Sequence, residues 1–156
     1  MSERDKTRNR LTISRRVFEK SVSYLGRLAE HQYATPEYEA LLVAAIVFYA
    51  GPFSSNEKDS HANAQPRIDS LVLAGLTREQ LALHERLVLL RNKALCHAEW
   101  TQYPTQVDSN NIIASKPFAI WDDFQGQQEV QQVLELVRAV LHNTHIESAR
   151  MHRAAP

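Results

Sequence analysis

The stretch LLVAAIVFY at positions 41–49 decides the fold, because it is apolar on every side of a helix. Thr35 stands where a helix N-cap is preferred, Pro36 where a first helical residue is preferred, and Gly51 where the helix can end. The apolar run at 40–50 is well short of the roughly 20 residues that a membrane-spanning helix needs. A helix of this kind has to be surrounded by other elements, and it therefore predicts the centre of a helical bundle.

Three further stretches carry apolar residues at helical spacing. The first stretch runs from 11 to 33. The second runs from 81 to 95 and follows a capping box formed by Thr77 and Gln80. The third begins at a cap at Asp122 or Asp123. Residues 54–66 contain no large apolar side chain and predict a long polar loop, whereas 101–121 predict a loop with a short extended segment. The sequence therefore predicts an all-α fold, an antiparallel bundle of four main helices in one helical domain spanning residues 1–156.

Charge and composition limit the classes of partner. Lys plus Arg number 18 and Asp plus Glu number 18, so the formal net charge is zero. A net charge of zero excludes the extended positive surface of a protein that coats nucleic acid, so any contact with RNA has to be local. Seven of the first twenty residues are Lys or Arg and three are acidic, a pattern typical of a solvated helix start or of an RNA-steering arm. The single cysteine, Cys96, and the lack of an apolar signal segment at the N-terminus indicate a cytoplasmic protein without contact to a membrane.

Arg91 is the residue in the third main helix that most needs an explanation. At about 100° per residue, Arg91 and His84 both fall in the middle of the apolar arc of that helix. Because a guanidinium cannot be neutralised in the accessible pH range, a buried one must be paired or face a site. One interpretation is an ion pair with Asp122, Asp123 or Glu39. The other is an anion site, since the fixed donors of a guanidinium match a phosphate.

The run Arg91-Asn92-Lys93-Ala94-Leu95-Cys96-His97 resembles the Arg-x(4–6)-His motif of HEPN-domain proteins, in which a polar residue commonly follows the Arg. The same spacing joins Arg78 to His84 and Arg138 to His145, so spacing alone does not discriminate. Only Arg91 is followed by Asn, lies at the centre of an apolar arc and has its His near the end of the helix. The resemblance implies an RNA endonuclease that works without a metal or cofactor, of the kind found among toxins and antiviral effectors.

Within this resemblance each residue of the motif has an expected role. His97, whose unperturbed pKa lies near neutrality, is the candidate general base, and Arg91 would hold the scissile phosphate. Asn92 would orient His97 or bind a phosphate oxygen. The candidate substrate-binding residues are Lys93, Trp100 and Tyr103. Both aromatic residues are candidates to stack on an unpaired base or to pack over the end of the helix.

The expected partners follow from the geometry of the motif. On a straight helix Arg91 and His97 would point about 120° apart, so either the helix ends before His97 or the site is shared between two subunits. HEPN domains characteristically join two motifs across a two-fold interface, which implies a homodimer that binds RNA and has an antitoxin protein as a candidate partner. No convergent carboxylates accompany the motif, and His142 and His145 lack further ligands, so no metal site is expected. The competing hypothesis is a catalytically silent HEPN-like module for dimerisation or partner binding, with Arg91 in a structural ion pair.

Overall fold

The computed structural model describes residues 2–54, 67–95, 105–107, 109, 113–115, 120–124 and 126–153. Its helices are α1 (Glu3–Arg27), α2 (Pro36–Ala50), α3 (Asp69–Val72), α4 (Arg78–Leu90) and α5 (Gln127–Arg153). Short 3-10 turns follow at Leu28–Glu30, Gly51–Phe53 and Ile120–Asp122, and a π-helical turn, Arg91–Leu95, continues α4. Strands β1 (Thr105–Val107) and β2 (Ile113–Ser115) form an antiparallel ribbon in which Thr105 is opposite Ser115.

The predicted all-α bundle of four main helices is confirmed by α1, α2, α4 and α5, and the ribbon is the short extended segment. The guanidinium of Arg4 at the start of α1 donates to the carbonyl of Met151 at the end of α5, so these two helices run antiparallel. The polar loop predicted at 54–66 lies outside the described residues, apart from Ser54. Within the described ranges, none of the helices has the length and apolar character that crossing a bilayer requires.

The central position predicted for α2 is confirmed by burial. Every residue from 41 to 50 is buried or half-buried. The hydroxyl of Thr35 accepts the amide of Tyr38 and Pro36 is the first helical residue, as the sequence predicts. Where α1 crosses α2, the Ser21 hydroxyl donates to the carbonyl of Ala45 over 2.8 Å. Such a contact satisfies a buried hydroxyl and lets the two helices approach closely.

α1 begins at Glu3, well before the start that its apolar pattern predicts at Leu11. Ser2 is the N-cap, and it forms a capping box in which its hydroxyl accepts the Asp5 amide over 3.1 Å and the Asp5 carboxylate accepts the Ser2 amide. The hydrogen bonds with Ser2 also lower the pKa of Asp5. The polar cap, which apolar periodicity does not register, therefore sets the true start of this helix.

Most of the positive charges of α1 have partners among the described residues. Ion pairs along the helix join Lys6 to Glu3, Arg8 to Asp5 and Arg15 to Glu19. Other basic side chains of α1 reach neighbouring elements: Arg4 contacts the end of α5, Arg10 the turn after α2, and Lys20 the ring of Phe48. These contacts favour a solvated helix start over an RNA-steering arm.

One side chain of α5, Asn143, hydrogen-bonds to the end of α3. The amide NH2 of Asn143 on α5 donates to the carbonyls of Val72 and Ala74, each over 2.9 Å. Gly75 follows at a φ of 75°, the left-handed conformation that commonly ends a helix. Asn143 thus satisfies carbonyls at the end of α3 that its own helical turn leaves open.

Candidate functional site

The motif begins where α4 stops being an α-helix. The α-helical part ends at Leu90, and Arg91–Leu95 form a π-helical turn. The helix predicted over 81–95 is therefore present, but its last five residues are wound as a π turn and not as an α-helix. A π turn takes one residue more than an α turn, which the spacing of apolar residues does not reveal, and such turns are frequent at functional sites. The 120° separation deduced for a straight helix does not apply beyond Leu90.

The π turn brings the first two residues of the motif together. Arg91 Nη1 donates to Asn92 Oδ1 over 2.8 Å, and both side chains are half-buried. Consecutive residues of a regular helix point about 100° apart, so this pairing needs side chains that turn toward each other. A guanidinium can only donate, which identifies the facing amide atom as the oxygen.

Ser54 is a third member of this cluster, which sequence analysis did not identify. Its Oγ lies 3.0 Å from Asn92 Oδ1 and 3.0 Å from the carbonyl oxygen of Ala50. A hydroxyl has one proton and can donate to one of these oxygens at a time. The residue is only 8% exposed, so its hydroxyl depends on these partners rather than on bulk water. The only hint of Ser54 in the sequence is its position shortly after Gly51 and Pro52, the residues that end α2.

The 3-10 turn that carries Ser54 is fixed by α1 and α4. The Arg10 guanidinium donates to the carbonyl of Pro52 over 2.6 Å. The Phe53 ring stacks on Phe18 at 5.7 Å between centroids and meets the edge of His84 at 4.5 Å. Partial burial lowers the pKa of Arg10, against the opposing charge of Asp69. Ser54 is therefore presented to Asn92 from a turn with three separate anchors.

His84 lies beneath this turn, on the arc where the sequence placed it together with Arg91. It is 8% exposed, and its Nδ1 lies 2.9 Å from the Tyr49 hydroxyl. Burial lowers the pKa of His84, against the opposing charges of Asp69 and Glu85, and burial also raises the pKa of Tyr49. The direction of this bond depends on the tautomer of His84: Tyr49 donates when the imidazole hydrogen is on Nε2, and His84 donates when it is on Nδ1.

The other Arg-x(4–6)-His candidates do not form comparable clusters. Arg78 is exposed in the first turn of α4, whereas His84 is buried. Arg138 and His145 are both exposed on α5. Burial thus separates Arg78 and Arg138, which are exposed, from Arg91, which is half-buried.

The remaining predicted site residues are only partly placed. At about 100° per residue Lys93 would fall on the exposed, polar side of the helix. In the π turn it is half-buried instead. His97, Trp100 and Tyr103 lie outside the described residues, and their roles stay predictions. Over the described ranges, no three His, Cys, Asp or Glu side chains come together.

Comparison with protein-family models, with curated proteins and with solved structures gives no match. The resemblance to HEPN domains accordingly rests on the motif from Arg91 to His97 and on the helical bundle that carries it.

Proposed function

We propose that this protein is a metal-independent RNA endonuclease of the HEPN type. The observation that carries the proposal is the hydrogen-bonded pair of Arg91 and Asn92 at the start of a π turn. A guanidinium held at a fixed position by a neighbouring amide is suited to bind a phosphodiester, because its donors match two phosphate oxygens. The family resemblance adds a role as a toxin or antiviral effector, with an antitoxin protein as a partner.

The proposed reaction uses the RNA itself as the nucleophile. His97 takes the proton of the 2′-hydroxyl, and the 2′-oxygen attacks the adjacent phosphorus while the bond to the 5′-oxygen breaks. The protonated imidazole, or that of a second copy, returns a proton to the departing 5′-oxygen. Arg91 stabilises the charge that grows on the non-bridging oxygens. The products are a 2′,3′-cyclic phosphate and a 5′-hydroxyl.

The first test is cleavage in excess EDTA. Purified protein is incubated with unstructured and structured RNA, and the ends of the products are identified by mass spectrometry. We expect cleavage to continue in EDTA and to leave cyclic phosphate ends. The double variant Arg138→Ala/His145→Ala is the matched control, because it removes the same residue spacing from an exposed surface of α5. Cutting that appears only with added divalent ions would contradict the mechanism.

We further propose that two copies pair through the surface of α4 that precedes the motif. Leu89 is 52% exposed and Leu81 is 37% exposed, and apolar side chains at such positions are stabilised when a partner covers them. A closed two-fold pairing places each motif near its copy, and thus allows Arg91 of one subunit to act with His97 of the other.

Light scattering tests this pairing directly. We expect a mass twice the chain mass of 17.8 kDa at micromolar concentration, and a monomer for Leu89→Asp, because a carboxylate at a buried apolar contact is costly. The matched control is Ile13→Asp on α1, since Ile13 is also 52% exposed. A monomeric wild-type protein, or equal dissociation of both variants, would contradict an interface at Leu89.

The second candidate function is a silent module that binds a partner without cutting RNA. The exposed leucines of α4 favour it as much as they favour a nuclease dimer. If the dimer forms and no RNA is cut in any buffer, with or without divalent ions, the binding-module interpretation replaces the nuclease.

A further inference from the structure

The acceptor oxygen of Asn92 is turned into the protein. Arg91 Nη1 lies 2.8 Å from Oδ1 and Ser54 Oγ lies 3.0 Å from it. Arg91 donates to this oxygen, and the Ser54 hydroxyl faces it with a proton that can serve either Oδ1 or the carbonyl of Ala50. The amide NH2 group points away from both donors, and no described residue accepts a hydrogen bond from it. Asn92 is thus turned so that it offers only donors to an incoming molecule.

This arrangement decides between the two roles that sequence analysis left open for Asn92. A histidine acting as a general base keeps one ring nitrogen free and carries a hydrogen on the other. An orienting residue must accept that hydrogen. The acceptor oxygen of Asn92 faces Arg91 and Ser54, so Asn92 is not suited to orient His97. An NH2 group is suited to a phosphate oxygen, which accepts.

We infer that Asn92 donates its NH2 group to a non-bridging phosphate oxygen, that Arg91 and Asn92 bind this oxyanion as one unit, and that Ser54 is the positioning residue that fixes the amide. The identification of the anion as an RNA phosphodiester rests on the proposed function. The donor role itself rests on the three side chains.

Ser54 has this positioning role because its own place is fixed. The turn that carries it is anchored by Arg10 at Pro52 and by the packing of Phe53 against α1 and α4. Without the hydroxyl, Oδ1 of Asn92 keeps one donor and the amide gains freedom to rotate. A rotated amide would present its oxygen to the phosphate, and two acceptors repel each other.

The test measures binding without cleavage. The probe is a fluorescent ten-nucleotide DNA, which lacks the 2′-hydroxyl, titrated by anisotropy in EDTA. Asn92→Asp preserves an oxygen for Arg91 and Ser54 but replaces the NH2 group with a second oxygen. We expect about 10- to 100-fold weaker binding, the range for a lost hydrogen bond to a charged group. Gln132→Glu is the control, because it adds the same charge at an exposed position on α5.

A second variant separates the NH2 group from the added charge. Asn92→Ala removes the donor without introducing a negative charge, and we expect binding about tenfold weaker than that of the wild type. If Asn92→Ala binds as the wild type does, Arg91 holds the anion alone and the inference is wrong. The inference is equally wrong if Asn92→Asp binds DNA normally and cleaves RNA as fast as the wild type, which is the result expected of a residue that orients His97.

Ser54 is tested by its effect on binding and by rescue. We expect Ser54→Ala to weaken DNA binding by about 2- to 10-fold, and Ser54→Thr, which keeps the hydroxyl, to restore it. Ser14→Ala is the matched control, because Ser14 is fully buried on α1 and its hydroxyl bonds to no described residue. Equal effects of Ser54→Ala and Ser54→Thr would show that the hydroxyl does not position Asn92. Failure of the wild type to cut RNA would overturn the proposed function and leave these binding results valid.

Discussion

Replacing His97 with Ala is expected to lower the rate of the proposed RNA cleavage by about 10²- to 10⁴-fold, the usual contribution of a general base. Replacing Arg91 with Ala is expected to lower it by about 10²- to 10³-fold, the usual loss when one donor to the charge of the transition state is removed. Both effects are read from single-turnover rates in EDTA, with circular dichroism to show that each variant is folded. A folded His97→Ala variant that cuts at the wild-type rate would falsify the mechanism.

Arg91→Lys and Lys93→Ala complete this series. Lys keeps the positive charge at position 91 but loses the planar pair of donors, so we expect a rate between those of the wild type and Arg91→Ala.

Lys93→Ala removes a charge beside the site. Its effect should appear mainly as weaker binding that diminishes as the salt concentration rises.

Phe18→Ala is expected to lower the free energy of unfolding by about 3–5 kcal/mol, the range for removal of a buried aromatic side chain. Phe18 is 0% exposed, and its ring lies 5.9 Å from that of Tyr49 and 5.7 Å from that of Phe53. The substitution therefore leaves a cavity behind the turn that carries Ser54. Urea denaturation monitored by circular dichroism measures the change.

Ile13→Ala on the same helix is the control for this prediction, since Ile13 is 52% exposed. Its effect should stay within about 0.5 kcal/mol, as for other surface substitutions. A loss of less than about 1 kcal/mol for Phe18→Ala would mean that the aromatic contacts of Phe18 do not anchor the turn.

The helices were predictable where the signals are local. The capping box of α4 is present, with the Thr77 hydroxyl accepting the Gln80 amide over 3.2 Å and the Gln80 side chain accepting the Thr77 amide over 3.0 Å. The apolar stripe of α5 is buried as its spacing indicates, at Val130, Val133 and Val137. Caps and periodicity depend on residues a few positions apart, and such patterns can be read from one sequence.

The geometry of the site was not predictable in the same way. The contact between Ser54 and Asn92 joins residues 38 positions apart, and no local rule connects them. The π turn at Arg91 leaves the apolar pattern of the helix intact and changes only its winding. The motif was therefore visible in the sequence, whereas the partner of Asn92 and the direction of its amide required the fold.

The burial of His84 also determines how the fold responds to acid. Its folded pKa lies below the unfolded value of 6.5, so the unfolded chain takes up a proton at this residue at a higher pH than the folded protein does. By proton linkage, the contribution of neutral His84 to stability is fully present above the unfolded pKa. It is lost progressively as the pH falls from the unfolded pKa through the lower folded pKa. Protonation also places a hydrogen on both ring nitrogens, so Nδ1 can then only donate to the Tyr49 hydroxyl. Mild acid thus weakens the bundle at the imidazole that supports Phe53, directly beneath the turn that holds Ser54 against Asn92.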